Sequence, residues 1–158
     1  MRHLRAQAET HPRRRSRLGL PNIRTELQDA SVCREEWKDS ADVVLCDVPC
    51  SGLGIIRKKP EIRFKNPDEI RTLPEIQAKI LANCAQYVKK GGTLVYSTCT
   101  ILQRENEDVV RAFLTENPEF EAVSWTHPVC GERADGMVTL LPPVHNTDGF
   151  FIAKMHRK

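Results

Sequence analysis

Residues 41–54 read Ala-Asp-Val-Val-Leu-Cys-Asp-Val-Pro-Cys-Ser-Gly-Leu-Gly. The run 41–48 is apolar enough for a strand buried on both faces, which favours a parallel sheet over a half-wet antiparallel one. Pro49 cannot donate to a strand ladder, and Gly52 and Gly54 let a backbone come close to a neighbour or ligand. The chain therefore leaves a core strand straight into a small-residue loop carrying an acid, Asp47, and a thiol, Cys50. In an open α/β sheet, ligands gather beyond the carboxyl ends of the parallel strands. Residues 47–54 fit such a loop, with the ligand left open. Asp47 suits either ligand recognition or capping of the turn. Gly52 and Gly54 lack the spacing of a dinucleotide fingerprint.

Downstream, residues 68–90 have a helical period, with Ile76, Ile80, Cys84 and Tyr87 or Val88 on one side. Pro74 sits in the first turn of the main helix, Lys89-Lys90 suits its C-terminal end, and Gly91-Gly92 stops it. Thr93-Leu-Val-Tyr-Ser97 is a second strand, ending in Thr98-Cys99-Thr100. Consecutive parallel strands are usually neighbours, so Cys50 and Cys99 fall on one ligand edge. Two buried small side chains remain the alternative for this pair. Residues 105–116 form an amphipathic helix with acids in its first turn, and 137–141 and 149–155 pair as a closing antiparallel hairpin. Upstream, residues 4–18 suit a basic helix interrupted by Pro12, and Ile23–Leu27 suits a short strand. The order of elements is that of an α/β domain.

At 158 residues, with 40% hydrophobic and 28% charged residues, the chain has the size and composition of one folded domain. A net charge of +3 does not mark a nucleic-acid binder by itself. The basic residues are clustered, however: seven arginines against one acid in residues 1–24, and Arg57, Lys58, Lys59, Arg63 and Lys65 against Glu61. Such runs suit either a phosphate backbone or a solvated face. The six cysteines include no CxxC pair, and no histidine cluster suggests zinc, so reduced thiols and no metal are expected. No secretory apolar segment or run near the length of a membrane span is present, which points to a cytoplasmic protein away from membranes.

Asp47-Val-Pro-Cys-Ser-Gly-Leu-Gly54, Arg57–Arg63, Gly92–Thr100, Glu105-Asn-Glu107 and Asp148-Gly-Phe-Phe-Ile-Ala153 together resemble the RNA cytosine-5 methyltransferase family of the RsmB/Sun type. The resemblance runs from about residue 18 to the end. It implies an α/β fold, an incomplete Rossmann-like SAM-dependent methyltransferase sheet with a C-terminal antiparallel hairpin. Residues 1–17 form a basic, altered lead-in. Residues 18–158 form the C-terminal part of the catalytic domain, without the family's Gly-rich SAM loop or its ribose-binding acid.

The implied activity is methyl transfer from S-adenosyl-L-methionine (SAM) to C5 of cytosine in RNA, with the 16S ribosomal RNA of the small subunit as the expected substrate. Cys99 is the implied nucleophile at C6 and Cys50 the partner that helps release the product. Asp47 positions base and cofactor, the Pro49 carbonyl meets the cytosine amino group, and Asp29 lies near the cofactor adenine. Arg57, Lys58, Lys59 and Arg63 hold RNA phosphates. Glu105, Asn106 and Glu107 orient the following helix. In the family sheet another strand flanks the one ending at Asp47, so its edge is expected to be bare unless an N-terminal fragment or partner chain covers it. An inactive or split-enzyme fragment that retains RNA or partner binding is the alternative reading.

Overall fold

The computed structural model describes Arg17 and residues 19–158. The basic helix expected over 4–18 lies almost wholly outside the described residues. The chain divides into two compact units, Met1–Val32 and Cys33–Lys158. In the first, residues 23–29 are irregular, so no strand forms at Ile23–Leu27. Ile23 and Leu27 are exposed, and that unit offers no second strand among the described residues. A single strand without a ladder has little to hold it extended.

The second unit carries the sheet. Strand β1 (Ala41–Asp47) is followed by helices α1 (Pro67–Arg71) and α2 (Leu73–Ala85), strand β2 (Val88–Thr98) and helix α3 (Glu107–Glu116). Short strands β3 (Phe120–Ala122), β4 (Trp125–His127) and β5 (Gly131–Arg133) come next. Strand β6 (Met137–Leu140), helix α4 (Pro142–His145) and strand β7 (Phe150–Arg157) complete the chain. The main sheet has the order β1-β2-β7-β3, with β6 also paired to β7. Among the described strands only β1 and β2 run parallel; β7 is antiparallel to β2, β3 and β6. The mixed α/β sheet and the expected closing hairpin are both present, although most of the pairs are antiparallel.

Three expectations shift. Strand β1 is not buried on both faces. Val43 and Leu45 are 65% and 68% exposed, while Cys46 is buried and Val44 packs against the core. The alternation is that of an edge strand with one covered face, since β1 pairs only with β2 among the described strands. Helix α2 ends at Ala85 instead of near residue 90, because Val88 is fully buried and already paired to Ala41. Gly91 then takes φ +77°, and the ladder slips from Ala41↔Val88 to Val43↔Thr93. Lys89 therefore meets Asp42 at 2.9 Å across the strand pair and does not cap the helix. Finally, Trp125, His127 and Cys130, whose surroundings read from the sequence as a polar loop, lie in the small β4–β5 hairpin.

Leu81, Val88, Leu94, Tyr96, Val110 and Phe151 are wholly buried where α2 and α3 cover one face of the sheet. The face of α2 that packs inward carries Gln77, Ile80 and Leu81, and Ile76 is 41% exposed. A buried glutamine therefore stands where the apolar period placed isoleucine, and it points toward the site.

Candidate active site

The β1–β2 register ends with Asp47 beside Ser97, so the loops beyond the two strands leave the sheet side by side. That alignment brings Cys50 and Cys99 to an Sγ–Sγ distance of 3.3 Å, both as free thiols. They share a cavity of about 340 Å³ whose walls include Gly52, Lys59, Glu61, Ile62 and Lys65. A volume of this size accommodates a small planar ligand at the low end of the usual range of pockets.

The two thiols are electrostatically unequal. Hydrogen bonding with the Cys50 thiol lowers Cys99 to about 7 against the opposing effects of burial and the Asp47 carboxylate. The backbone N–H of Cys99 and the Lys65 ammonium add to the lowering. The same contact with Cys99, together with burial, pushes Cys50 up. Of the two thiols Cys99 is therefore the one that ionises first, and the proton they share is favoured on Cys50. Alkylation of the intact chain by iodoacetamide, followed by peptide mass spectrometry, should modify Cys99 first, with a rate that rises through about pH 7. Prior modification of Cys50 would reverse this assignment.

Beneath the thiols lies a buried polar network that holds both loops. The Glu105 carboxylate accepts from the Ser51 backbone N–H at 2.8 Å and from Gln77 Nε2 at 3.0 Å. Gln77 Nε2 also donates to the Pro49 carbonyl at 3.0 Å. Ser51 and Thr100 join the two loops directly, with their hydroxyl oxygens 2.7 Å apart. On the Cys99 side, Thr98 donates to Asn106 Oδ1 at 2.7 Å, and Asn106 Nδ2 donates to the Thr100 carbonyl at 3.1 Å. Glu105 and Asn106, expected only to orient the following helix, are buried and serve the two thiol loops; neither caps α3 through its side chain. Gln77 Oε1 and Glu105 Oε1 are buried without a partner among the described residues, so the network is only partly satisfied, yet the bonds it makes tie both thiol loops to one geometry.

Strand β7 adds a second brace. Because Thr98 pairs with Phe151, β7 begins where β2 ends and delivers Asp148-Gly149 to the same edge. The Gly54 N–H donates to the Cys99 carbonyl at 3.0 Å, and the Gly149 N–H donates to the Gly54 carbonyl at 2.8 Å. Asp148, buried at this edge, pairs with Arg57 at 3.3 Å and with Lys58. These cations hold its carboxyl below the usual range, Lys58 foremost.

The predicted site residues therefore separate. Cys50, Cys99 and Lys59 line one cavity. Asp47 is exposed at the end of β1, accepting from the Ser97 hydroxyl at 3.0 Å. The Pro49 carbonyl already accepts from Gln77, which leaves it one lone pair. Arg57 and Lys58 are paired to Asp148 while still about two-thirds exposed. Arg63 is exposed. Asp29 belongs to the first unit, where the Ser31 backbone N–H and hydroxyl bond its carboxylate at 2.9 and 2.7 Å and hold it below its ordinary range. Sequence reasoning missed Gln77 and Glu105 as braces and Lys65 as a wall of the cavity. Only Lys65 carried a signal, its place in the basic run.

A sequence model described as 16S rRNA methyltransferase RsmB/F matches residues 5–156. The "Probable ribosomal RNA small subunit methyltransferase B" of Bacillus subtilis is 44% identical over 149 residues, covering 90% of this chain and 33% of that protein. Among solved structures, that of PH0851 aligns with a TM-score of 0.84 at 35% identity, over 90% of this chain and 33% of the other. NSun6 from Pyrococcus horikoshii with SFG aligns with a TM-score of 0.72 at 25% identity, over 90% and 36%. The chain spans about a third of the length of the curated relatives it matches.

Proposed function

The chain belongs to the 16S rRNA methyltransferase RsmB/F family, and from that premise we propose that it carries the cytosine-handling half of a SAM-dependent RNA cytosine-5 methyltransferase. The observation that carries this reading is the unequal thiol pair, 3.3 Å apart on the wall of a shared cavity. Cys99, the thiolate, adds to C6 of the target cytosine, and the ring electrons move to C5. The S–C6 bond consumes the negative charge that kept Cys50 protonated. Cys50 then releases its proton to solvent, its thiolate takes the C5 proton after methyl transfer, and the S–C6 bond breaks as C5=C6 re-forms, returning Cys99 as the thiolate. The remaining lone pair of the Pro49 carbonyl accepts from the cytosine amino group. A cytosine within a helix must leave its stack to reach the cavity.

SAM, when bound, supplies the methyl group. Of the groups expected to hold it, Asp47 fits: it is an exposed carboxylate at the strand end, suited to an ammonium group. The SAM analogue in the NSun6 structure supports the same class of donor. Lys59 and Arg63 are the cations best placed to meet RNA phosphates, since Arg57 and Lys58 already serve Asp148.

Among the described residues β1 has a bare edge and an exposed apolar face at Val43 and Leu45, which favours a second reading in which turnover needs a partner polypeptide. One assay addresses both. Labelled SAM and unmodified small-subunit ribosomal RNA are incubated with this chain, alone and with a polypeptide that supplies the rest of the Bacillus subtilis relative. Label in C5 of cytosine with the chain alone supports autonomous transfer, and label only in the mixture supports the partner-dependent enzyme. No label in either condition overturns the methyltransferase reading of this chain.

A further inference from the structure

Lys65 takes no part in the covalent steps, yet its backbone and side chain are both fixed at the thiol cavity. The turn Pro60–Phe64 ends on it: its backbone N–H donates to the Ile62 carbonyl at 3.1 Å, and the next residue, Asn66, caps α1 by accepting from the Asp68 N–H. Ile62 is buried and anchors that turn. From this fixed point the side chain runs back to the Cys50 loop, where Nζ donates to the Ser51 carbonyl at 2.8 Å. Gly52 makes the approach possible. It has φ +75°, and a Cβ there would stand 3.9 Å from Nζ and 3.0 Å from Ile62 Cδ1, so a larger residue would crowd this corner.

Two thiols at 3.3 Å have two nearly equivalent protonation patterns, and something must select between them. Asp47, at the end of β1, acts on Cys99 in the wrong direction by repelling its negative charge. Lys59 and Glu61 both line the cavity and carry opposite charges. Lys65 is the remaining cation on that wall, and it acts on Cys99 in the right direction. We infer that Lys65 is a positioning residue for the thiol pair: tethered to the Ser51 carbonyl, its ammonium faces the cavity and settles the negative charge on Cys99, leaving the proton on Cys50. The inference rests on the proposed roles of the two cysteines and assigns the group that keeps those roles distinct.

The test needs neither RNA nor SAM. Cys99 alkylation by iodoacetamide is followed by peptide mass spectrometry from about pH 5 to about pH 9, in the intact chain and in three variants. Lys65→Arg keeps the charge. Lys65→Gln keeps a donor for the Ser51 carbonyl without the charge, and Lys65→Met keeps neither. Lys65 is solvent-exposed, so the variants remove no core packing. Buried Cys46 reports on the fold in the same experiment, because it is alkylated only when the chain opens.

With Cys46 protected, Lys65→Arg should titrate as the wild type. Lys65→Gln and Lys65→Met should move the Cys99 midpoint up by about one pH unit, which is roughly a five-fold loss of rate at pH 7. A wild-type midpoint in Lys65→Gln, with a shift only in Lys65→Met, makes Lys65 a tether and overturns the inference. So does an unmoved midpoint in both. Failure of methyl transfer is a separate result, since the titration reads the thiols of the chain itself.

Discussion

In a preparation of this chain that transfers methyl groups, Cys99→Ala should lower turnover by about three orders of magnitude or more, the usual scale for loss of a covalent nucleophile. Cys50→Ala should lower turnover as well, but with a different signature. Its Cys99 can still attack C6, and the step that fails is release. RNA should accumulate on the protein as an adduct that survives denaturing electrophoresis, and Cys50→Ala/Cys99→Ala should show none. The asymmetry arises in the pair itself, in which contact with Cys50 lowers Cys99 to about 7 while the same contact raises Cys50. Losing Cys50 also removes the largest lowering influence on Cys99, so Cys50→Ala should form its adduct more slowly at pH 7 than at pH 9. An adduct in Cys99→Ala but not in Cys50→Ala would exchange the two roles. Equal methyl transfer by wild type and Cys99→Ala would remove covalent catalysis altogether.

The thiol edge was legible because a local pattern and a general rule of topology reinforce one another. Apolar runs at 41–48 and 93–97 announce strands, Pro49 and the glycines announce a loop beyond the first, and the preference of parallel strands for adjacency places Cys50 beside Cys99. The closing hairpin was legible for the same reason, since alternation and turn residues are local. The supports of the site were not. Glu105 sits where an acid usually faces a helix N-terminus, and nothing near it in sequence shows that Ser51 and Gln77 are its partners. Arg57 and Lys58 read as free cations because Asp148 is about ninety positions away. Helix α2 reads as ending near residue 90 because Lys89-Lys90-Gly91-Gly92 is a good local stop, and the pairing of Val88 with Ala41 overrides it. Propensity is a weak prior wherever a tertiary ladder competes for the same residues.

Gly54→Ala should be among the most damaging small substitutions in the chain, and the reason is steric. A Cβ on Gly54 would stand 2.1 Å from the Gly149 carbonyl oxygen and 2.6 Å from its carbon. Both are backbone atoms, so no side chain can swing aside. Relief must come from separating the Cys50 loop from the start of β7, which breaks the Gly149–Gly54 hydrogen bond and strains the one from Gly54 to the Cys99 carbonyl. Two strained or lost buried backbone bonds and the residual overlap together suggest about 3–5 kcal/mol of destabilisation. Thermal unfolding should move down by roughly 10 °C for a chain of this size. Gly91→Ala is the matched control. Gly91 has φ +77° with nothing within 4 Å, so an added Cβ meets strain without overlap, and about 1 kcal/mol is expected. Equal losses in the two variants would mean that backbone conformation, and not contact between loops, sets the cost. If the contact does set it, the folded fraction of Gly54→Ala should also lose its early Cys99 alkylation near pH 7, because the thiols keep their spacing only while Gly54 lies against Gly149. On that outcome the Asp148-Gly149 segment acts on the chemistry without touching the substrate, by holding two cysteines on separate loops within reach of one base.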